Sequence, residues 1–153
     1  MSHVADVQLH IKDLKCLKEA VERMGGEFVE GQTTFTWYGR FLNDWRENGK
    51  ISERAAINRV DAANFGKCLH AIKIKDCRYE IGVIQDPDGK GYKLIYDEFG
   101  EGRKLVEWLG GENYKMIKAQ YGTRVFARDM KRKGYRITTS TAANGLPLVN
   151  AIK

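Results

Sequence analysis

The feature that most constrains this fold is a long helix whose apolar residues lie on two sides. Residues 114–136 predict the helix, and Gly134 supplies its left-handed stop. At 100° per residue, one apolar stripe contains Tyr114, Ile117, Tyr121 and Val125. The opposite stripe contains Met116, Ala119, Phe126, Ala127 and Met130. A helix that is apolar on both sides is usually buried on both, so each stripe needs its own cover.

We expect one stripe to pack on a sheet and the other to meet a second neighbour. That neighbour is the segment 40–67, the short helix predicted at residues 103–109, or a second copy of the protein. If the stripe were uncovered, it would expose an apolar patch on the order of a few hundred Å². The residues predicted for a partner interface are therefore Met116, Phe126 and Met130.

The same helix carries the positive charge of the chain. Residues 112–136 hold eight basic and two acidic residues, a surplus of six that equals the net charge of +6 for the whole protein. A concentrated surplus of this kind is a candidate footprint for nucleic acid or another polyanion. A solvated helix face, with its cations near the negative end of the helix dipole, is the alternative. The candidate residues are Arg124, Arg128, Lys131, Arg132, Lys133 and Arg136.

The remaining pattern predicts an α+β fold. Alternation at Ala5, Val7, Leu9 and Ile11 indicates a strand, and residues 14–24 form a helix capped by Asp13. Residues 28–38 predict a second strand, and residues 69–96 predict a three-stranded meander. Residues 136–152 form a last hairpin around Asn144-Gly145. We expect a mainly antiparallel sheet of about six to seven strands with helices on one face, for which a ferredoxin-like core with additions is one topology.

The composition describes a single domain over residues 1–153, with an insertion or long loop at residues 40–67. No run of roughly 18 apolar residues predicts a membrane span, and the N-terminus has no secretion-signal pattern. Three scattered cysteines do not make a disulfide framework, which favours a reducing, cytoplasmic setting.

No catalytic constellation, cofactor motif or metal-ligand set stands out. Cys68, His70 and Cys77 lack the paired spacing of a zinc site. An alternative function is a small-ligand or nucleotide-binding protein or enzyme, with a pocket near Trp37, Tyr96 and the loop from Asp97 to Glu101. Aromatic residues interleaved with arginines near Trp37 also suit either base stacking or a small core under a loop.

Three segments resemble one known family. GKCLHAIKI, YEIGVIQDPDGKGYKLIYDEFG and WLGGENYKMIKAQYGTRVFARDMKRKGYRI, in this order, are similar to the family of hypothetical chloroplast reading frame thirty-five, also called domain of unknown function twelve-fifty-seven. The opening MSH and the IKDL helix start resemble it too, so the likeness covers roughly residues 1–30 and 65–152. It implies a small plastid, bacterial or phage protein and supplies no catalytic residues.

These observations favour a binding or adaptor protein over an enzyme. Its predicted partner is a nucleic acid or a protein, with a homodimer as one form of the latter. A membrane is not among the predicted partners.

Overall fold

The computed structural model describes residues 4–7, 9–37 and 66–153. Within these ranges the chain forms seven strands and three helices, which confirms the α+β class. The strands are β1 (Val4–Asp6), β2 (Glu27–Glu30), β3 (His70–Lys73), β4 (Ile81–Gln85), β5 (Tyr92–Asp97), β6 (Arg136–Thr141) and β7 (Pro147–Ile152). The helices are α1 (Leu14–Arg23), α2 (Gly102–Leu109) and α3 (Lys115–Arg132).

The strands divide between two antiparallel sheets. Five form one sheet in the order β1-β5-β4-β3-β2, and β6 pairs with β7 in a separate two-stranded ribbon. The meander of β3, β4 and β5 is the one predicted from the sequence. A ferredoxin-like split unit puts a single strand between the two that its first helix joins. Here three strands lie between β1 and β2, so the described strands follow a different order.

The three helices cover one face of the five-stranded sheet. Strands β3, β4 and β5 contribute Ile72, Ile81, Val83, Leu94 and Tyr96 to a core that also contains residues of each helix. In α1, Leu17 and Val21 are fully buried at the spacing that the sequence predicted. The side chain of Asp13 caps this helix by accepting a 3.0 Å hydrogen bond from the Cys16 N–H.

The other face of the sheet is covered by the chain that follows β2. The predicted strand over residues 28–38 ends early, because β2 stops at Glu30 and Gly31 turns the chain with φ of 75°. Phe35 and Trp37 do share a face, and both are buried against Ala71 and Ile95.

A glycine makes this packing possible. A Cβ at Gly82 would lie 2.5 Å from the Phe35 ring, so only glycine lets the ring lie on the strand. The predicted insertion at residues 40–67 lies outside the described residues except for its last two.

The buried carboxylate of Glu80 holds the segment after β2 against the sheet. It accepts hydrogen bonds from the Thr36 N–H at 2.8 Å, the Thr36 hydroxyl at 2.7 Å and the Gln32 side chain at 3.1 Å. Lys73 adds an ion pair at 3.5 Å. Burial acts to raise the pKa of Glu80, but these hydrogen bonds and the lysine outweigh it and leave the pKa below its ordinary value.

We predict that Glu80→Gln destabilises the fold at neutral pH and not in acid. A depressed pKa in the folded state stabilises the protein above the unfolded-state pKa of about 4.3, and this contribution is lost as the pH falls through the folded-state pKa. Urea unfolding at pH 7 should show a loss of about 1–3 kcal/mol, because hydrogen bonds to a charged group are removed. The gap between wild type and variant should narrow as the pH falls below about 4.

The matched control is Glu22→Gln, at an exposed position on α1. We expect its unfolding free energy to stay within about 0.5 kcal/mol of wild type. A gap for Glu80→Gln that is the same at every pH would contradict the assigned role of the charge.

Candidate functional site

The first side of α3 is buried as the sequence predicted. Ile117 and Tyr121 are 0% and 7% exposed, and Tyr114 and Val125 pack against the same core. The Tyr121 hydroxyl also accepts hydrogen bonds from two backbone N–H groups that precede α1, those of Lys12 at 3.0 Å and Asp13 at 3.2 Å. This side of α3 therefore fixes the start of α1 as well as filling the core.

The second side of α3 is partly covered by the ribbon of β6 and β7. Gly134, with φ of 91°, reverses the chain after α3, and β6 then runs back along the helix. A Cβ at Gly145 in the ribbon turn would lie 4.0 Å from the Met116 methyl group, near the other end of the helix. The expected cover was the segment 40–67, the short helix or a second copy. Periodicity did not indicate the ribbon, because an apolar stripe shows that a helix face needs cover and does not show which element supplies it.

The three predicted interface residues differ in exposure. Met116 and Met130 are half-buried, whereas Phe126 is 42% exposed. Ala127, on the same side of the helix, is buried. Of the three residues predicted for a partner interface, Phe126 is thus the exposed one, and the two methionines are partly covered.

Two of the six candidate cations take part in packing between α1 and α3. Arg128 forms ion pairs with Asp13 and, at 3.1 Å, with Asp129. Arg124 is half-buried, and its Nε and Nη2 atoms have no hydrogen-bond partner among the described residues. Burial, and then the charge of Arg23, lower the pKa of Arg124. Arg128 in particular links α3 to the start of α1 through its ion pair with Asp13, so its charge is already paired.

The other four candidate cations are exposed and lie in the last turn of α3 or within four residues after it. A fifth joins them, because the ammonium of Lys153 lies 5.6 Å from the centre of the Tyr135 ring. No aspartate or glutamate occurs after Asp129. The charge pattern did not indicate Lys153, because its place beside Tyr135 depends on the pairing of β7 with β6. We call these five residues the basic surface: Lys131, Arg132, Lys133, Arg136 and Lys153.

The ribbon has an exposed face that adjoins the basic surface, because Arg136 belongs to both. One face of the ribbon packs towards α3, where Val149 and Ala151 are half-buried opposite Thr139 and Ile137. All six residues of the outward face are exposed, and Leu148 and Ile152 reach 51% and 61%. The cross-strand pairs on this outward face are Arg136 with Ile152, Thr138 with Asn150, and Ser140 with Leu148.

Two residues proposed for a small-ligand pocket, Trp37 and Tyr96, lie on opposite faces of the sheet. Tyr96 is buried in the core on the helix side of the sheet, whereas Trp37 is buried on the opposite side. Asp97 is 1% exposed and accepts a 3.0 Å hydrogen bond from the Phe99 N–H. Glu101 accepts a 2.9 Å hydrogen bond from the Arg78 N–H. A surface depression of about 730 Å³ lies beside this loop, and it is lined by Glu98, Phe99 and Arg103 among others.

The cysteine and histidine residues that suggest a metal are engaged in separate places. Cys68 donates a hydrogen bond to the Gln32 carbonyl, and burial raises the pKa of its thiol to about 12. His70 accepts a hydrogen bond from the Gly31 N–H, 3.0 Å away. Over residues 4–7, 9–37 and 66–153, no group of three or more His, Cys, Asp or Glu side chains is placed to hold a metal ion.

Comparisons with known proteins assign no family. No family model matches the chain, and no solved structure matches it. The chain is 26% identical over 109 residues to the chorismate synthases of two strains of Chloroflexus aurantiacus. That similarity covers 59% of this chain and 30% of the length of each synthase. At this identity and coverage the chain is not placed in that enzyme family. None of the helices described here has the length and apolar character needed to cross a bilayer.

We predict that Arg128→Ala lowers stability more than removal of an exposed cation from the same helix. The substitution removes the ion pair with the residue that caps α1, and each such partly exposed interaction contributes up to about 1 kcal/mol. Urea unfolding of Arg128→Ala should therefore show a loss of about 1 kcal/mol. The control Arg132→Ala should stay within about 0.5 kcal/mol of wild type. Equal losses in the two variants would contradict the division into packed and exposed cations.

Proposed function

We propose that this protein is a non-enzymatic binding protein that contacts nucleic acid through the basic surface. The setting we propose is a reducing cytoplasm, which the three scattered cysteines favour, in a plastid, a bacterium or a phage-infected cell, as the resemblance to the family of hypothetical chloroplast reading frame thirty-five implies. Arg136 is exposed in the ribbon and belongs to this surface, whereas Arg128 contributes to helix packing. Met116, Phe126 and Met130 are the residues predicted for an interface with a protein partner, which is the second candidate function.

The observation that carries the proposal is the charge of the chain after Asp129. Five cations and no acids occur in residues 131–153, and the four cations from Lys131 to Arg136 are exposed. The helix dipole accounts for Lys131 and Arg132 in the last turn of α3. It does not account for Arg136 and Lys153, which lie beyond the helix. Duplex DNA presents one negative charge per roughly 1.7 Å, so a cluster of this kind suits its backbone.

Self-association is the second candidate function. Phe126, Leu148 and Ile152 are all exposed, which favours a protein partner or a homodimer. A symmetric contact centred on the basic end of the ribbon would bring its cations close to those of the second copy. Like charges within a Debye length repel, so this arrangement is disfavoured at low salt.

A small-ligand enzyme has less support, because the aromatic and acidic residues proposed for its pocket are buried on opposite faces of the sheet or hydrogen-bonded within the fold.

We predict that the basic surface supplies the salt-dependent part of nucleic-acid affinity. Lys131→Ala/Arg132→Ala/Lys133→Ala should weaken binding to a fluorescent duplex at ~50 mM salt at least tenfold, because three phosphate contacts are lost. Fluorescence anisotropy over a salt series should also show a smaller dependence. The slope of log affinity against log salt should fall by about 1 for each lysine or arginine removed.

The matched control removes the same charge elsewhere. Lys15→Ala/Lys90→Ala/Arg103→Ala takes away three exposed cations that lie outside the basic surface. Both triple variants have the same net charge, so an effect of overall charge would weaken both equally. Equal weakening, or no binding of DNA or RNA by wild type at ~50 mM salt, would contradict the proposed function.

A further inference from the structure

We infer that the ribbon of β6 and β7 enters the major groove of double-stranded DNA, with the basic surface on the phosphates beside it. This inference rests on the proposed function and specifies the partner. The ribbon is a separate structural unit, since among the described strands β6 pairs with β7 and with no other. Each strand has six residues, a length of roughly 20 Å.

The shape of the ribbon suits a groove of that kind. The major groove of B-DNA is about 12 Å wide and admits a two-stranded β-ribbon. One face of the ribbon is taken up by α3, which leaves the outward face and the turn at Asn144 and Gly145 free to approach a ligand. Helix α3 thus serves as the support that holds the ribbon from behind.

The outward face has the side chains that read base edges. Thr138, Ser140 and Asn150 carry hydroxyl and amide groups, and serine, threonine and asparagine hydrogen-bond base edges in the major groove. Arg136 is suited to guanine, and the exposed side chains of Leu148 and Ile152 can contact thymine methyl groups. No acidic residue lies on either strand of the ribbon, so nothing on this face repels the phosphates.

The position of the cations fits the same partner. Arg136 begins β6 on the outward face, three residues after the exposed run of Lys131, Arg132 and Lys133. Contacts to phosphates fix the register of a protein on the duplex, and contacts in the groove distinguish sequences. The basic surface lies at one end of the ribbon, where it would meet the backbone that borders the groove.

Two other partners fit the ribbon less well. Double-stranded RNA has a deep, narrow major groove that side chains cannot read, so the two-stranded ribbon does not enter it. A second copy docked symmetrically about the basic end of the ribbon would bring five cations against five more, with no acid in residues 131–153 to balance them. Charge complementarity therefore favours DNA over self-association for this face.

The test compares two DNA duplexes of the same sequence. One is unmodified, and the other carries a glucosyl group on the C5 hydroxymethyl of its cytosines, which fills the major groove and leaves the phosphates unchanged. We expect wild type to bind the unmodified duplex at least about tenfold more tightly, the size of one lost base-edge contact. A double-stranded RNA of matching sequence should bind as weakly as the blocked DNA.

Two variants on one strand locate the contact. Thr138→Ala/Ser140→Ala changes the outward face of β6, and Thr139→Ala/Thr141→Ala changes the opposite face of the same strand. The first should reduce the preference for the unmodified duplex, because two of the base-edge contacts are lost, and the second should keep it. Circular dichroism of both variants checks that the ribbon forms, and the comparison of the two duplexes with wild type needs no variant.

The outcomes separate this inference from the proposed function. No binding to any nucleic acid would overturn both. Equal binding to the two DNA duplexes, or to DNA and RNA, would overturn the role of the ribbon and leave a phosphate-binding protein. A dimer in sedimentation at the same salt, dissociated by Leu148→Ser, would overturn it in favour of a second copy.

Discussion

The structure depends on a single helix being packed on two sides by different partners. On its first side, α3 buries Ile117 and Tyr121, and the Tyr121 hydroxyl accepts the N–H groups of Lys12 and Asp13. Those N–H groups precede α1, where helical hydrogen bonding cannot satisfy them. On its second side, α3 supports the ribbon. An isolated two-stranded hairpin is at best marginally stable in water, so the ribbon draws its stability from α3.

Local sequence patterns predicted turns and helix caps correctly where neighbouring residues alone determine the backbone conformation. The hairpin turn at Asn144-Gly145 and the cap at Asp13 are both present, because each is decided by a few neighbouring residues. The strand predicted at residues 28–38 was only partly right. Its alternation continues past Gly31, but Phe35 and Trp37 pack across the sheet instead of extending β2. That packing depends on Gly82, which periodicity around residue 35 cannot register.

The sequence predicted which segment is basic, but it did not predict which of the cations in that segment are exposed. Counting charge found the basic segment, and four of its six cations are exposed. It could not show that Arg128 is paired with Asp13, because the two residues meet only through the packing of α1 on α3. Nor could it bring Lys153 to the same place, since that depends on the register of β7 with β6. Charge patterns locate a region, whereas tertiary contacts decide which charges remain available.

The division of the cations has a physical consequence for how the surface could work. The Arg128 guanidinium forms ion pairs with the carboxylates of Asp13 and Asp129, so its charge is already paired before any partner binds. The cations of the basic surface face water and counterions, and releasing those counterions is what drives binding to a polyanion. The Arg128 ion pair is partly buried and is therefore screened less by salt, while the exposed cations respond to salt directly. Within two turns, α3 therefore carries an arginine that stabilises the fold, Arg128, and cations that are exposed to a partner, Lys131 and Arg132.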